Sequence, residues 1–197
     1  MTNHDEDRAA SGLGKDIAKI RQAAAVLLTS DGKPYIYQGE ELGYWGTKNN
    51  GDEFVRTPMM WDAAGNNLAI KGVNSKVDAS MLSASISVEN QLKDKNSLLN
   101  LYRRLLRLRN TYPAMAYGDM SKHPVYNENN SEFNSIAAWY MISGSDKMLV
   151  LHNFCGVNQE LLLDDDLSYP VFLNGTAEIK QKKLSLGAYS SVVFSLK

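Results

Sequence analysis

The spacing of apolar positions along the chain changes character three times. From Lys15 to Leu28, Ile17, Ile20, Ala24, Leu27 and Leu28 recur near the helical period and Asp31-Gly32 supplies a stop, which predicts a helix. Pro34 then opens Pro-Tyr-Ile-Tyr-Gln-Gly39, a short aromatic and β-branched run without polar alternation, the pattern of a buried strand. A helix followed by a buried strand predicts a parallel α/β unit. Regular patterning then lapses for roughly fifty residues, far beyond an ordinary connection. This stretch carries Trp45, Phe54, Met59, Met60 and Trp61, too many large apolar groups for a disordered insertion, so it reads as an ordered surface loop with a function. Over Asn96 to Asn110 the periodicity returns: Leu98, Leu99, Leu101, Tyr102, Leu105, Leu106 and Leu108 form one broad face. Asp94 and Asn96 stand where a cap is wanted, Pro113 follows the end, and Arg103, Arg104, Arg107 and Arg109 read as a solvated face.

Beyond Pro113 the chain turns to short runs separated by Asn-, Gly- and Ser-bearing turns. Strands are predicted at 120–126, 135–142, 148–154, 159–163, 170–173, 182–186 and 190–196, a spacing that fits a small antiparallel sandwich. Two domains are therefore expected, 1–115 and 116–197, with the boundary near residues 113 to 119.

Composition narrows the partners. The chain has 197 residues, 21 Lys plus Arg against 22 Asp plus Glu and a net charge of -1, which gives no field to draw nucleic acid or an anionic membrane. A single cysteine, Cys155, leaves no internal disulfide, and His4, His123 and His152 share no metal-ligand spacing with it, so no metal site is expected. Asp164-Asp165-Asp166 reads as a solvated turn, with calcium ligation as the alternative. No run is long enough for a membrane helix, and a secretion signal, if there is one, is expected upstream of Met1.

The candidate chemistry sits at the start. Asn3, His4 and Asp5 place an amide, an imidazole and a carboxylate side by side, with Arg8 close behind. Alone this reads rather as a frayed terminus or a helix cap. Together with Tyr35-Ile-Tyr-Gln-Gly-Glu-Glu-Leu-Gly43, Arg56-Thr-Pro-Met-Met-Trp-Asp62, Ser87-Val-Glu-Asn-Gln91, the helix from Asn96 and the closing run Leu186 to Phe194, in that order, it resembles the C-terminal part of the α-amylase family, glycoside hydrolase family 13.

The resemblance implies an α/β plus all-β fold: the C-terminal portion of a (β/α)8 TIM barrel followed by an antiparallel β-sandwich, domain C. Residues 1–5 would end the seventh barrel strand, 15–28 form its helix, 35–39 the eighth strand and 96–110 the eighth helix. The long loop would then lie at the C-terminal face, where such barrels keep their active sites. The implied chemistry is retaining hydrolysis of α-glucosidic bonds. Asp5 matches the carboxylate that stabilises the transition state and His4 the neighbouring imidazole that bonds sugar hydroxyls, while Asn3, Arg56 and Arg8 are further substrate-side candidates. The nucleophile and the acid/base follow the fourth and fifth strands in the family and are expected upstream of Met1. The chain is thus expected to be a fragment, inactive alone and needing the N-terminal part of the barrel. Glu40 and Glu41 do not replace that pair, because adjacent residues leaving a strand point in different directions.

An α-glucan or maltooligosaccharide is the implied substrate. No cofactor is expected in this chain, and calcium is left open for the complete enzyme. The combination of Tyr44-Trp45-Gly46 with Ser87 to Gln91 looks more like bacterial starch-degrading α-amylases, including cell-surface ones, than like oligo-1,6-glucosidases, and points to an extracellular or surface location. Met60, where many relatives carry Gln, and Asp7, where some carry Pro, depart from the family pattern. A non-catalytic sugar-binding module, with Tyr44, Trp45 and Trp61 stacking on sugars, is the competing reading, and an inactive partner ectodomain is a third.

Overall fold

The computed structural model describes residues 2–64, 84–127 and 129–197. They pack as two units, one of residues 1–21 and 34–103 and one of residues 22–33 and 104–197.

The first unit begins with a short helix, α1 (Ala9–Gly12), and the opening turns of α2 (Ile17–Thr29). The loop expected to lack regular structure is built of short turns: 3-10 turns at Glu40–Leu42, Lys48–Asn50 and Ala84–Ile86, and the helices α3 (Asp52–Val55) and α4 (Val88–Lys93). Its core is Leu42, Tyr44, Met60 and Ile86, with Trp45, Met59, Val88 and Leu99 packed against it. Such single turns are set by local hydrogen bonds, and their burial does not follow an apolar period long enough to read. Ser87 caps α4 by accepting from the Asn90 amide at 3.2 Å. Gln91 is buried and bridges two segments, donating from Nε2 to Leu42 O at 2.9 Å and accepting at Oε1 from the Leu99 amide at 3.0 Å. The long helix, α5 (Leu98–Thr111), is capped by Ser97, whose hydroxyl oxygen accepts from the Asn100 amide at 3.1 Å, rather than by Asp94 or Asn96. Asp94 instead closes a local turn on the Asn96 amide. Residues 65–83 of the loop lie outside the described residues.

Two expected elements differ. Residues 34–38 are not a strand, and Tyr35 is 73% exposed. A strand is held by lateral pairing, and among the described residues no segment pairs with this one. Its hydrogen bonds are made singly instead: Gln38 O accepts from the Arg8 side chain at Nη1, and the Gln38 side chain donates from Nε2 to the backbone Thr57 O. Likewise 2–5 is a turn rather than a strand end, with Asp5 N donating to Asn3 Oδ1 at 2.7 Å.

The second unit is an antiparallel sandwich. Its eight strands are β1 (Asp119–Lys122), β2 (Ile136–Ser143), β3 (Asp146–Asn153), β4 (Gln159–Leu162), β5 (Leu167–Asn174), β6 (Ala177–Lys180), β7 (Lys183–Leu186) and β8 (Ser191–Leu196). One sheet runs β1-β2-β3-β8-β5 and the other β4-β7-β6. Strand β6 was not expected, because Ala-Glu-Ile-Lys carries one large apolar residue and pairs at the exposed edge of the smaller sheet. A helix of five residues, α6 (Pro113–Tyr117), precedes β1 with Pro at its first position. The core between the sheets takes alternate residues: Leu149 and Leu151 of β3 and Val192 and Phe194 of β8 meet Leu161, Leu184 and Leu186. The three acids of the 164–166 turn go separate ways, Asp164 to Lys182, Asp166 to Lys197 and Asp165 to His123 and Tyr140.

Because β3 is buried on both faces, its other residues, Met148, Val150 and His152, need cover as well. His152 is fully buried between Ser191 Oγ, 2.7 Å from Nδ1, and Thr29 Oγ1, 3.1 Å from Nε2. The Thr29 hydroxyl already donates to Ala25 O, so towards the ring it can only accept. The proton therefore sits on Nε2, and Nδ1 accepts from Ser191. Burial pushes the imidazole down to about 3. The unfolded chain takes up this proton near the ordinary value of about 6.5, so it binds more protons than the folded chain throughout the window between the two values. Stability is thus expected to fall as pH drops from about 6.5 toward 3, by up to roughly 1.4 kcal/mol per pH unit from this group. Urea midpoints at pH 7.5 and 4.5 should separate less in His152→Gln than in the wild type; equal separations would remove His152 as the cause.

Candidate active site

Asn3, His4 and Asp5 are brought together with charged residues of the long loop, all within the first unit. Asp5 Oδ1 accepts from Arg56 Nη2 at 2.8 Å and lies 3.5 Å from Lys48 Nζ, while Oδ2 is 3.1 Å from His4 Nε2. Arg56 also bonds His4 O through Nε at 3.0 Å, so one guanidinium holds both neighbours. Asp52 completes the cluster, 2.6 Å from Arg56 Nη2 and in contact with Lys48 Nζ. Two carboxylates and two cations make it close to neutral. Residues 48, 52 and 56 meet because Lys48–Asn50 and Asp52–Val55 are successive single turns, which set these side chains four residues apart on one side.

The Asp5 and His4 side chains are 55% and 63% exposed, so this is an open surface that a soluble ligand can reach. Desolvation pushes the Asp5 carboxyl up. The Arg56 hydrogen bond and the His4, Lys48 and Arg56 charges outweigh it and hold the group below the usual carboxylate range. Asp5 is therefore ionised at neutral pH, and Oδ2 keeps acceptor capacity beyond His4. Asp7 turns away, accepting from the Lys48 amide at 2.6 Å.

Arg8 is placed elsewhere. It is wholly buried, with its guanidinium 4.4 Å from the centre of the Tyr37 ring and 5.5 Å from that of Tyr44, and Nη1 donates to Gln38 O at 2.6 Å. Its amide donates to Gly46 O at 3.0 Å. Burial lowers its pKa, offset by Tyr37 and by Glu40, whose own carboxyl burial pushes up. Arg8 thus ties the segment that carries Asp5 to residues 37–46. Glu40 and Glu41 diverge: Glu40 is buried, and Glu41 Oε2 accepts from the Gly39 amide. Gly39 is required there, because its φ is 87° and a Cβ would press into the Tyr44 ring.

Of the aromatics, Tyr44 is buried with its hydroxyl bonded to Pro58 O and the Met60 amide, so it offers no face for stacking. Met60 is a core residue. Trp61 is 58% exposed, and Trp45 is half-buried with Lys15 Nζ 4.6 Å from its ring centre. Lys48 and Asp52 are the site residues that sequence reasoning missed; the signal was their spacing of four from each other and from Arg56. Among the described residues no group of three or more His, Cys, Asp or Glu is placed to hold a metal ion, and no helix is long and apolar enough to cross a membrane.

Comparison with known proteins places the chain. The family model described as the α-amylase catalytic domain matches residues 1–118, and the model for the C-terminal domain of the α-amylase SusG matches residues 136–193. The chain is 50% identical to α-amylase SusG of Bacteroides thetaiotaomicron across all of its own length and 28% of that enzyme's. It is 27% identical to α-amylase 3 of Dictyoglomus thermophilum, again over its whole length and 38% of the relative's. Among solved structures an α-amylase from H. orenii superposes with a TM-score of 0.76 at 28% identity, covering 100% of this chain and 39% of that one. The chain thus spans between a quarter and two fifths of these three relatives, as the last part of a TIM barrel with the β-domain that follows.

Proposed function

Because the chain belongs to the α-amylase family of glycoside hydrolases, we propose that it forms the C-terminal part of a retaining α-glucan hydrolase cutting α-1,4 bonds of starch or maltooligosaccharides. The observation that carries this reading is the ionised Asp5, held by Arg56 and Lys48 beside His4 on an open surface. In such hydrolysis positive charge develops on the sugar ring as the bond breaks. A fixed carboxylate attracts that charge more strongly than it attracts the neutral ground state, so its effect falls on the rate. His4 and Asn3 supply hydrogen bonds to hydroxyls of the same sugar, Arg56 fixes Asp5 and the His4 backbone, and Arg8 braces the segment from below. The nucleophile and the acid/base belong to parts of the barrel outside these 197 residues.

The test is an exchange. The matching 28% of the Bacteroides enzyme is replaced by this chain, and starch hydrolysis is assayed for the hybrid and for the chain alone. The hybrid is expected to hydrolyse starch and the isolated chain to release no reducing ends. Turnover by the isolated chain would show that the two missing carboxylates were wrongly assigned. The 50% identity to an α-amylase, against 26% to an oligo-1,6-glucosidase, supports α-1,4 over α-1,6 preference. The exposed Trp61 supports the second reading, a sugar-binding module, which a hybrid that binds starch without cutting it would favour.

A further inference from the structure

The chain contains two Asn-Gly pairs, Asn50-Gly51 and Asn174-Gly175. Asparagine is among the thermolabile side chains, and a glycine after it leaves the next backbone nitrogen without a flanking side chain. The fold treats the two pairs differently. Asn174 is 3% exposed at the end of β5, opposite Ser191 of β8. Asn50 is exposed, at the end of the Lys48–Asn50 turn. That turn is closed by two bonds, from Asn50 N to Thr47 O at 3.2 Å and from Gly51 N to Lys48 O at 2.9 Å. Opening one exposed turn costs little, whereas freeing Asn174 requires the sandwich to open.

The place of the exposed pair gives it a consequence. Lys48 lies before the Asn50-Gly51 link, and Asp52 and Arg56 lie after it. Their spacing of four residues sets Lys48 Nζ against Asp52, and Asp52 Oδ2 2.6 Å from Arg56 Nη2. Both cations also hold Asp5 Oδ1, Arg56 at 2.8 Å and Lys48 at 3.5 Å. One extra backbone atom at that link breaks the register between Lys48 and Asp52 on which these contacts depend.

We propose that Asn50 is a site of spontaneous deamidation and that its isoaspartyl product disarms the Asp5 cluster. The Gly51 backbone nitrogen bonds to Asn50 Cγ, the Cγ–Nδ2 bond breaks, and the amide leaves as ammonia with the proton from Gly51. Water then opens the cyclic imide, and no other reactant is needed. Opening at the Asn50 main-chain carbonyl leaves the backbone running through Cβ and Cγ, one atom longer, with a free carboxylate in the turn; opening at Cγ leaves ordinary aspartate. The longer link takes Gly51 N away from Lys48 O and draws Lys48 from Asp5 and Asp52. A cluster close to neutral gains a negative charge, and the Asp5 carboxyl becomes easier to protonate. The modification stands by itself, while its effect on catalysis rests on the hydrolase reading above.

For the test, the 197-residue chain is held in mildly alkaline buffer, with and without urea, then digested and its peptides weighed. In the folded chain the Asn50 peptide is expected to gain the mass of OH in place of NH2 and to elute as two products, at least about tenfold faster than the Asn174 peptide reacts. In urea the two rates should converge. An Asn50 peptide that reacts in urea but not in the folded chain, or equal rates for both peptides in the folded chain, would overturn the modification site. The effect on Asp5 is read in the hybrid enzyme. Starch hydrolysis should fall in step with conversion and the acid limb of its pH profile should move to higher pH. Asn50→Gln, whose longer side chain closes an imide far less readily, should start at wild-type activity and keep it. Conversion that leaves both rate and acid limb unmoved, or an equal loss in Asn50→Gln, would overturn the link to Asp5. A hybrid that cuts no starch even when fresh removes the hydrolase reading instead, and the peptide masses still decide the modification.

Discussion

Asp5→Asn in the hybrid enzyme is expected to cost about 10²–10³-fold in kcat/KM, most of it in kcat, as for loss of one preorganised electrostatic contact at a reacting centre. Asparagine has the same shape, and its amide oxygen still accepts the Arg56 bond of 2.8 Å, so the cluster is kept while the negative charge is removed. Ground-state hydrogen bonds to hydroxyls largely survive, and KM should move little. A fall below tenfold, or one carried by KM, would make Asp5 a substrate anchor only. Arg56→Ala adds a test of direction. The Arg56 hydrogen bond and charge are among the influences that lower the Asp5 pKa, so without them it rises. Since Asp5 acts as the anion, activity below the new pKa is lost, and the acid limb of the pH profile should move to higher pH. An acid limb that stays in place would assign it to another group.

The order of motifs carried the family, and simple periodicity carried the rest of what was legible. The two long helices began and ended within two residues of expectation because each has a continuous apolar face with a stop, Gly32 after one and Pro113 after the other. Seven of the strands were legible because alternation or an unbroken apolar run separates them from Gly- and Asn-bearing turns. The eighth, Ala177–Lys180, has too little apolar surface to signal itself. The site was half legible. His4 and Asp5 stand next to each other, but Lys48 and Asp52 join them through two single-turn elements whose formation depends on Gly51 at a φ of 116°. Arg8 was placed beside Asp5 by sequence distance, whereas its guanidinium lies under Tyr37, a contact made across 29 residues that no local pattern encodes.

Arg109 is the clearest case of such a hidden role, and its replacement is expected to have the largest effect on stability. Its neighbours Arg103, Arg104 and Arg107 are exposed as the helical pattern requires, but Arg109 is 7% exposed. Nη1 donates to Leu28 O at 3.2 Å and Ser30 O at 2.7 Å, and Nη2 to Gly32 O at 2.8 Å. These carbonyls lie at and just beyond the C-terminus of α2, where a helix leaves its last acceptors without partners. The planar guanidinium satisfies three at once and sets a positive charge at the negative end of the helix. Burial lowers its pKa, but a guanidinium starts so far above neutrality that it is treated as charged. Each bond from a charged donor contributes about 1.5–3 kcal/mol, less than additively within one side chain, so Arg109→Ala is expected to cost roughly 3–4 kcal/mol. With a urea slope of about 2 kcal/mol per molar, the unfolding midpoint should fall by more than about 1 M. Lysine keeps the charge but reaches the carbonyls from a single point, so Arg109→Lys should recover less than half of the loss. Arg107→Ala, on the solvated side of the same helix, should stay within about 0.5 kcal/mol of the wild type. Equal midpoints for Arg107→Ala and Arg109→Ala would mean that the three carbonyls are satisfied as well by water, and that Arg109 belongs with the other arginines as surface charge.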